Sequence, residues 1–470
     1  MENKVTKQTI ILNLLAVLCL CIVAPVQAEN QALMELLKAL QENGTIDEQT
    51  SELVKNVAQS ETESEKKLVQ EITREEVSHS IDKAADKAAK EKVALASKEC
   101  EAYPNGCLAE KEKSENSIKI GGRIQIDAAT YNGDIAGHSD GTEIRRARLY
   151  AQGNLGKAWG YKLQYDFSDD IVIDGLRDAY LDFTGFENFK IRIGHTKESF
   201  SLQNMTSSKY VLFTERALPI VFSRGRNLGL QISHNDKNWS AAIGVYGRGV
   251  NGAELDNDDG FGVSSRVTYA PINEKNRVLH LGATAAYRST GSIDVLRFRI
   301  RPESHLTNTR LVDTGFFDAD TYNRFVGEAA FIYGPFHMQG EYYHTSVDRD
   351  ISTNADLDFS GFYVEGGWFL TRESMNYNAS RGIYSRVTPK GIVGKGGIGA
   401  WQLALRFSSL DLTDEDITGG KEENITLGLN WYATPNIRFA ANYVNVLDVK
   451  GGINDGDEPE SFQIRSQVEF

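Results

Sequence analysis

Arg297, Arg299 and Arg301 stand two residues apart between Leu296 and Pro302, alternating with Phe298 and Ile300. In an extended segment all three guanidinium groups point to one side. Such forks stay ionised and grip phosphate or carboxylate oxygens two at a time. In series they let an anion step from site to site. A second basic run, residues 144–152, puts Arg146 and Arg148 with Tyr150 and Gln152 on the face opposite Ala147, Leu149 and Ala151; Arg266 and Arg406 also fall on water-facing positions. The competing reading is that these arginines pair with Asp and Glu across an interior and carry no ion, because paired charges give little net field. No catalytic residue is expected, since the eight histidines show no obvious serine partner in sequence. No metal, cofactor or nucleic-acid partner is expected either.

The elements that must hold these arginines read as strands. From Ser117 onward the side chains alternate: Ile118, Ile120, Ile124 and Ile126 against Lys119, Gly121, Arg123 and Gln125, and later Trp401, Leu403, Leu405 and Phe407 against Gln402, Ala404 and Arg406. A period of two, with one face apolar, is that of a strand between oil and water. Sixteen strands are predicted, starting near residues 117, 143, 158, 176, 188, 227, 238, 260, 277, 322, 336, 358, 398, 422, 436 and 460. Short links such as Gly334-Pro335 alternate with generally longer ones, as periplasmic turns and extracellular loops do in a transmembrane barrel. Residues 372–397 break that rule: either the segment folds back into the barrel or the strand count slips there. The chain ends Phe462, Ile464, Ser466, Val468, Phe470 on one face, the form of a barrel-assembly signal with Phe470 as its terminal aromatic.

Bulk composition conceals all this, with a net charge of −14 over 470 residues and a mean hydropathy of −0.37. A barrel strand shows lipid only every second side chain and averages out as polar. From Ser117 to the end there are 37 Lys and Arg against 44 Asp and Glu, so the barrel is not basic as a whole and local placement must create any anion path. Acidic residues gather in expected outer loops, at residues 254–259 and 411–416.

Ahead of the barrel, residues 1–28 read as a secretory signal peptide, with Lys4 and Lys7, an apolar run and Val26-Gln27-Ala28 before Glu29. Residues 29–116 show helical spacing at Leu33, Leu36 and Leu40 and at Val77, Ile81, Ala84 and Ala88, suggesting a coiled-coil-like periplasmic segment or a solvated linker. Cys100 and Cys107 flank Pro104-Asn105-Gly106 and are expected to form a disulfide in an oxidising compartment. The domains are therefore 1–28, 29–116 and a barrel at 117–470.

Residues 118–470 resemble the phosphate-selective porin family of Gram-negative outer membranes. The carriers are Arg145-Arg146-Ala147-Arg148-Leu149, Phe213-Thr214-Glu215-Arg216, Arg224-Gly225-Arg226-Asn227-Leu228-Gly229, Arg297 to Pro302 with Asp313-Thr314-Gly315, Gly334-Pro335-Phe336, and Trp368-Phe369-Leu370-Thr371. The resemblance implies an all-β, sixteen-stranded antiparallel barrel in the outer membrane, assembled as a homotrimer in lipid and passing small phosphate-like anions. It further implies a pore narrowed by infolded loops, with an arginine ladder leading to a central lysine. Arg146, Arg297, Arg299 and Arg301 would then occupy ladder positions, Arg216, Arg224 and Arg226 would sit near an infolded third loop, and Lys197 or Lys209 would supply the lysine. Two other readings stay open: a general channel without phosphate selectivity, and a barrel that anchors a periplasmic tether contacting the cell wall.

Overall fold

The computed structural model describes residues 116–133, 137–168, 175–249, 260–349 and 353–470, all within the unit Lys113–Phe470. The expected signal peptide, helical segment and Cys100–Cys107 disulfide, and the acidic run 254–259, lie outside the described residues.

Sixteen strands close into an antiparallel barrel in which each pairs with its sequence neighbours and the last pairs with the first. They are β1 Ser117–Asn132, β2 Gly141–Leu155, β3 Trp159–Asp166, β4 Leu176–Phe186, β5 Phe189–Lys197, β6 Arg226–Asn235, β7 Trp239–Tyr246, β8 Gly262–Glu274, β9 Arg277–Ser289, β10 Thr321–Tyr333, β11 Phe336–Asp348, β12 Leu357–Phe369, β13 Ala400–Asp414, β14 Ile417–Tyr432, β15 Ile437–Lys450 and β16 Glu460–Glu469. Starts fall within two residues of expectation except for β14, which begins at Ile417 rather than near 422. Its first residues, Thr418-Gly419-Gly420-Lys421, carry no apolar alternation because they extend a hairpin whose partner is β13.

The pleat sorts side chains as the sequence period requires. In β10, Tyr322, Arg324, Val326, Glu328, Ala330 and Ile332 are buried inward while Phe325, Phe331 and Tyr333 are exposed outward. All five Trp lie at the barrel end that carries the short turns, with Trp159 against Phe183, Phe336 against Trp368, and Trp401 stacked on Trp431. Amphipathic rings at one level around a barrel form the aromatic girdle of a membrane interface. At the seam, the Gly122 N–H donates to the Phe470 carbonyl at 2.9 Å and the Phe470 N–H donates back at 3.2 Å. A Cβ on Gly122 would sit 2.5 Å from the Arg148 carbonyl oxygen and 2.6 Å from the Phe470 ring, so only glycine lets the terminal strand close there.

Three links enter the barrel. Residues 198–225 carry a short helix, Leu202–Met205, capped by Ser201, whose hydroxyl accepts the Asn204 N–H at 3.2 Å, and a 3-10 turn at Leu218–Phe222. Phe200, Leu218 and Phe222 from this loop pack with Phe298 and Phe317 of residues 290–320 against Tyr343, Phe359 and Leu410 of the wall. Each buried Phe is worth ~1.5–3 kcal/mol, which is why the loop leaves solvent for the lumen. The puzzling link is resolved: residues 370–399 fold inward, and Met375, Tyr384 and Val387 pack on Leu202, Ile332 and Phe369. Packed loops therefore cover the wall from β9 through β16, while along β1 to β6 they touch the wall only at polar contacts and leave a cavity.

Candidate anion pathway

A cavity of about 440 Å³ lies between the β1–β6 wall and the infolded links. The wall contributes Arg123 from β1, Arg146 and Arg148 from β2, Lys162 from β3, Asp178 from β4, Arg192 and Lys197 from β5 and Arg226 from β6. Strand alternation puts them there: with Ile191 and Ile193 outward, Arg192 must point in. Residues 198–225 add Lys209 and Arg216, and the inward link adds Arg381. Ten cationic side chains thus line the cavity with one carboxylate, Asp178.

Several of these charges are compensated. Arg148 pairs with Asp166 at 2.5 Å, Arg226 with Asp178 at 2.7 Å, Lys162 with Asp178 at 2.5 Å, Arg192 with Asp182 at 2.7 Å, and Lys209 with Glu469 at 2.5 Å. Arg146 donates to Gln125 Oε1 at 2.9 Å and reaches Glu215 only at 3.8 Å. Four others have no carboxylate partner among the described residues. Arg123 donates to Ser207 Oγ at 3.2 Å, Lys197 donates to the Asn204 carbonyl, Arg216 donates to the Gln203 and Thr206 carbonyls at 2.8 and 2.9 Å, and Arg381 makes no ion pair. Burial opposes ionisation of Glu215, yet Arg145, Arg146 and Arg465 overcome it and hold its carboxyl well below the usual range. Burial and the nearby Arg226 pull Arg216 down, with Glu215 opposing them.

Three further carboxylates, Glu328, Glu341 and Glu303, are consumed at the packed wall. Glu328 pairs with Arg266 at 2.6 Å and also accepts the Leu202 N–H at 2.6 Å; Glu341 accepts the Leu202 and Gln203 N–H groups at 2.6 and 3.2 Å. Glu303 takes Arg406 at 2.7 Å together with the Ser408 and Thr426 hydroxyls. These three acids anchor the loops on one side, leaving Arg123, Lys197, Arg216 and Arg381 without carboxylate partners among the described residues on the other. That separation lets an acidic chain present a basic cavity, since a local excess of one sign in a low-dielectric cleft dominates the field felt there.

Of the residues singled out in the sequence, Arg146, Arg148, Lys197, Lys209, Arg216 and Arg226 meet in this cavity. Arg224 instead lines a smaller, separate cavity. Arg297, Arg299 and Arg301 lie outside both, in residues 290–320, where Arg299–Ile300 pairs as a short strand with Val312–Asp313. Arg297 is held by Asp313, and Arg301 donates to Asn308 Oδ1 at 3.1 Å. Burial, then Arg301 and Arg299, push the neighbouring Arg310 down to about 10, and after burial the largest influence lowering Arg301 is Arg145. The loop arginines thus form a cluster whose inner member approaches β2. Arg123, Lys162 and Arg192 were missed although their alternation signalled them; Arg381 carries no periodic signal. Gly137-His138-Ser139-Asp140-Gly141 has the spacing of a hydrolase nucleophile elbow, but it joins two antiparallel strands rather than a strand and a helix, and His138 Nδ1 is engaged with Thr307 Oγ1 at 3.0 Å.

A closed sixteen-stranded barrel with an apolar outer face, an aromatic girdle and a polar, loop-narrowed lumen defines an outer-membrane porin, placed in the outer membrane of a Gram-negative cell. Residues 118–470 match the family described as phosphate-selective porin O and P. The chain belongs to that family. It is 28% identical over 400 residues to Porin O of Pseudomonas aeruginosa, covering 76% of this chain and 89% of that one. An uncharacterized protein of Caulobacter vibrioides is 31% identical over 361 residues, covering 73% and 71%. Among solved structures, a loop L8 deletion mutant of OmpT, an outer membrane protein of Vibrio cholerae, shares the fold with a TM-score of 0.50 at 12% identity, covering 76% of this chain and all of the other.

Proposed function

We propose that phosphate-type oxyanions, phosphate or polyphosphate, diffuse passively through the basic cavity between the β1–β6 wall and the infolded links. The observation that carries this reading is the imbalance of ten cations to one carboxylate, with Arg123, Lys197, Arg216 and Arg381 free of ion pairs among the described residues. Fixed donors of one sign replace part of an anion's hydration shell, and their number lets the anion exchange partners rather than stick. Arg297, Arg299, Arg301 and Arg310 collect anions at the mouth and pass them toward Arg145 and Arg146. A homotrimer fits the short strands β3, β5 and β7, of 8, 9 and 8 residues, which a neighbouring copy would shield from lipid. The charged segment 29–116 would reach the cell wall.

The test is block of chloride current by phosphate in planar bilayers. Arg123→Gln with Lys197→Gln weakens block by roughly tenfold or more, as losing one charge-assisted hydrogen bond of ~1.5–3 kcal/mol requires. Replacing Arg297, Arg299 and Arg301 by Ala weakens it mainly at low salt, where the Debye length exceeds about 10 Å. Unaltered phosphate block in the first variant refutes the assignment.

A further inference from the structure

A second cavity, of about 60 Å³, shares no lining residue with the basic one. Arg224 enters it from the residue run just before β6, Arg248 from beyond β7, Arg288 from β9 and Tyr322 from β10. Two donors there are buried without a hydrogen-bond partner: Arg288 Nε, in a residue 3% exposed, and the Tyr322 hydroxyl, in a residue 1% exposed. Two other Arg288 donors go to the Gly247 carbonyl at 3.1 Å and to Glu198 at 2.5 Å. Glu198 is shared, because its other oxygen takes Arg324 at 3.3 Å. One carboxylate therefore serves two guanidinium groups, and Arg224 has no ion pair among the described residues. Ser289 and Thr290 add hydroxyls to the lining, while Val295 and Leu296 offer no side-chain acceptor, and no carboxylate lines the cavity.

We propose that this cavity is a binding site for a single tetrahedral oxyanion, phosphate or sulfate, that ties residues 198–225 to β9, β10 and the start of residues 290–320. Its donors are a guanidinium fork and a phenolic hydroxyl, which suit oxygens of a compact anion; a neutral solute would leave the charge of Arg224 unmet. The space is that of one such ion or of roughly two waters at about 30 Å³ each, so water is the competing occupant. The site stands off the conduction cavity and acts as a clamp on the infolded loop rather than as a step in permeation.

Selenate, a tetrahedral oxyanion located by anomalous diffraction, is diffused into crystals of the full chain. A peak between Arg224, Arg288 and Tyr322, reduced several-fold in Arg224→Gln, is the expected result. Water alone at this position, beside a selenate peak in the basic cavity, overturns the proposal. Equilibrium dialysis against radiolabelled selenate covers a variant that does not crystallise: Arg224→Gln with Tyr322→Phe binds one ion fewer per chain than the wild type, and equal counts refute the site. Occupancy of the basic cavity is read separately in the anomalous map, and the dialysis comparison leaves the residues of that cavity unchanged, so failure of the permeation reading is not confused with failure of this one.

Discussion

Glu341 is the residue whose loss most directly frees the constricting loop. Its carboxylate accepts the Leu202 N–H at 2.6 Å, the Gln203 N–H at 3.2 Å, the Tyr363 hydroxyl at 2.7 Å and the Tyr343 hydroxyl at 2.9 Å. In Glu341→Ala, Leu202 keeps Glu328 and Tyr343 keeps Ser201 Oγ, so two donors are orphaned, the Gln203 N–H and the Tyr363 hydroxyl. A buried unsatisfied donor costs ~1–3 kcal/mol, so retaining the native loop position costs ~2–6 kcal/mol. A loop held against one wall escapes that cost by moving into the lumen's free volume, where water satisfies both donors. Relief of repulsion between Glu341 and Glu328 offsets part of it, without supplying the missing acceptors. Single-channel recording is the assay: Glu341→Ala gives larger and noisier conductance with weaker phosphate block, and Glu341→Gln, which keeps one acceptor oxygen, gives a smaller change. Wild-type conductance and block in Glu341→Ala would refute the anchoring argument.

Two further outcomes follow from named contacts. Because Glu215 is held below its ordinary value of 4.5 by Arg145, Arg146 and Arg465 against the effect of burial, its contribution to stability is fully present above about pH 4.5 and is lost only as pH falls through the lower folded value; the difference in melting temperature between wild type and Glu215→Gln stays constant from pH 7 to 5 and shrinks below that. In Gly122→Val the branched side chain meets the Arg148 carbonyl and the Phe470 ring, costing ~1–3 kcal/mol or more at the closing seam, so the heat-modifiable folded fraction on gels falls.

The barrel was legible because its physics is periodic. Alternation at Ile118 to Ile126 and at Trp401 to Phe407 located strands to within two residues, and it failed only at Ile417–Lys421, where hairpin pairing rather than an apolar face holds the backbone. Link length flagged residues 372–397 as anomalous, but their inward course depends on Tyr384 and Met375 finding Leu202 and Phe369, contacts no local pattern encodes. The same limit governs the site. Arg146 and Arg148 were readable from their faces, whereas their assembly with Lys197 and Arg216 depends on barrel closure and loop infolding. The evenly spaced Arg297, Arg299 and Arg301 are extended as the spacing indicates, yet they belong to an outer loop, since periodicity reports which way a side chain points and not what lies opposite. The acidic total misled least where the carboxylates, Glu303, Glu328 and Glu341, turned out to be engaged on the far wall.

Reversal potential of the wild-type channel under a potassium chloride gradient tests the central claim, that cations left without carboxylate partners set the sign of the field in the lumen. The account predicts a potential of anionic sign that moves toward zero when Arg123, Lys197 and Arg216 are together replaced by Gln. A wild-type potential of cationic sign would contradict it.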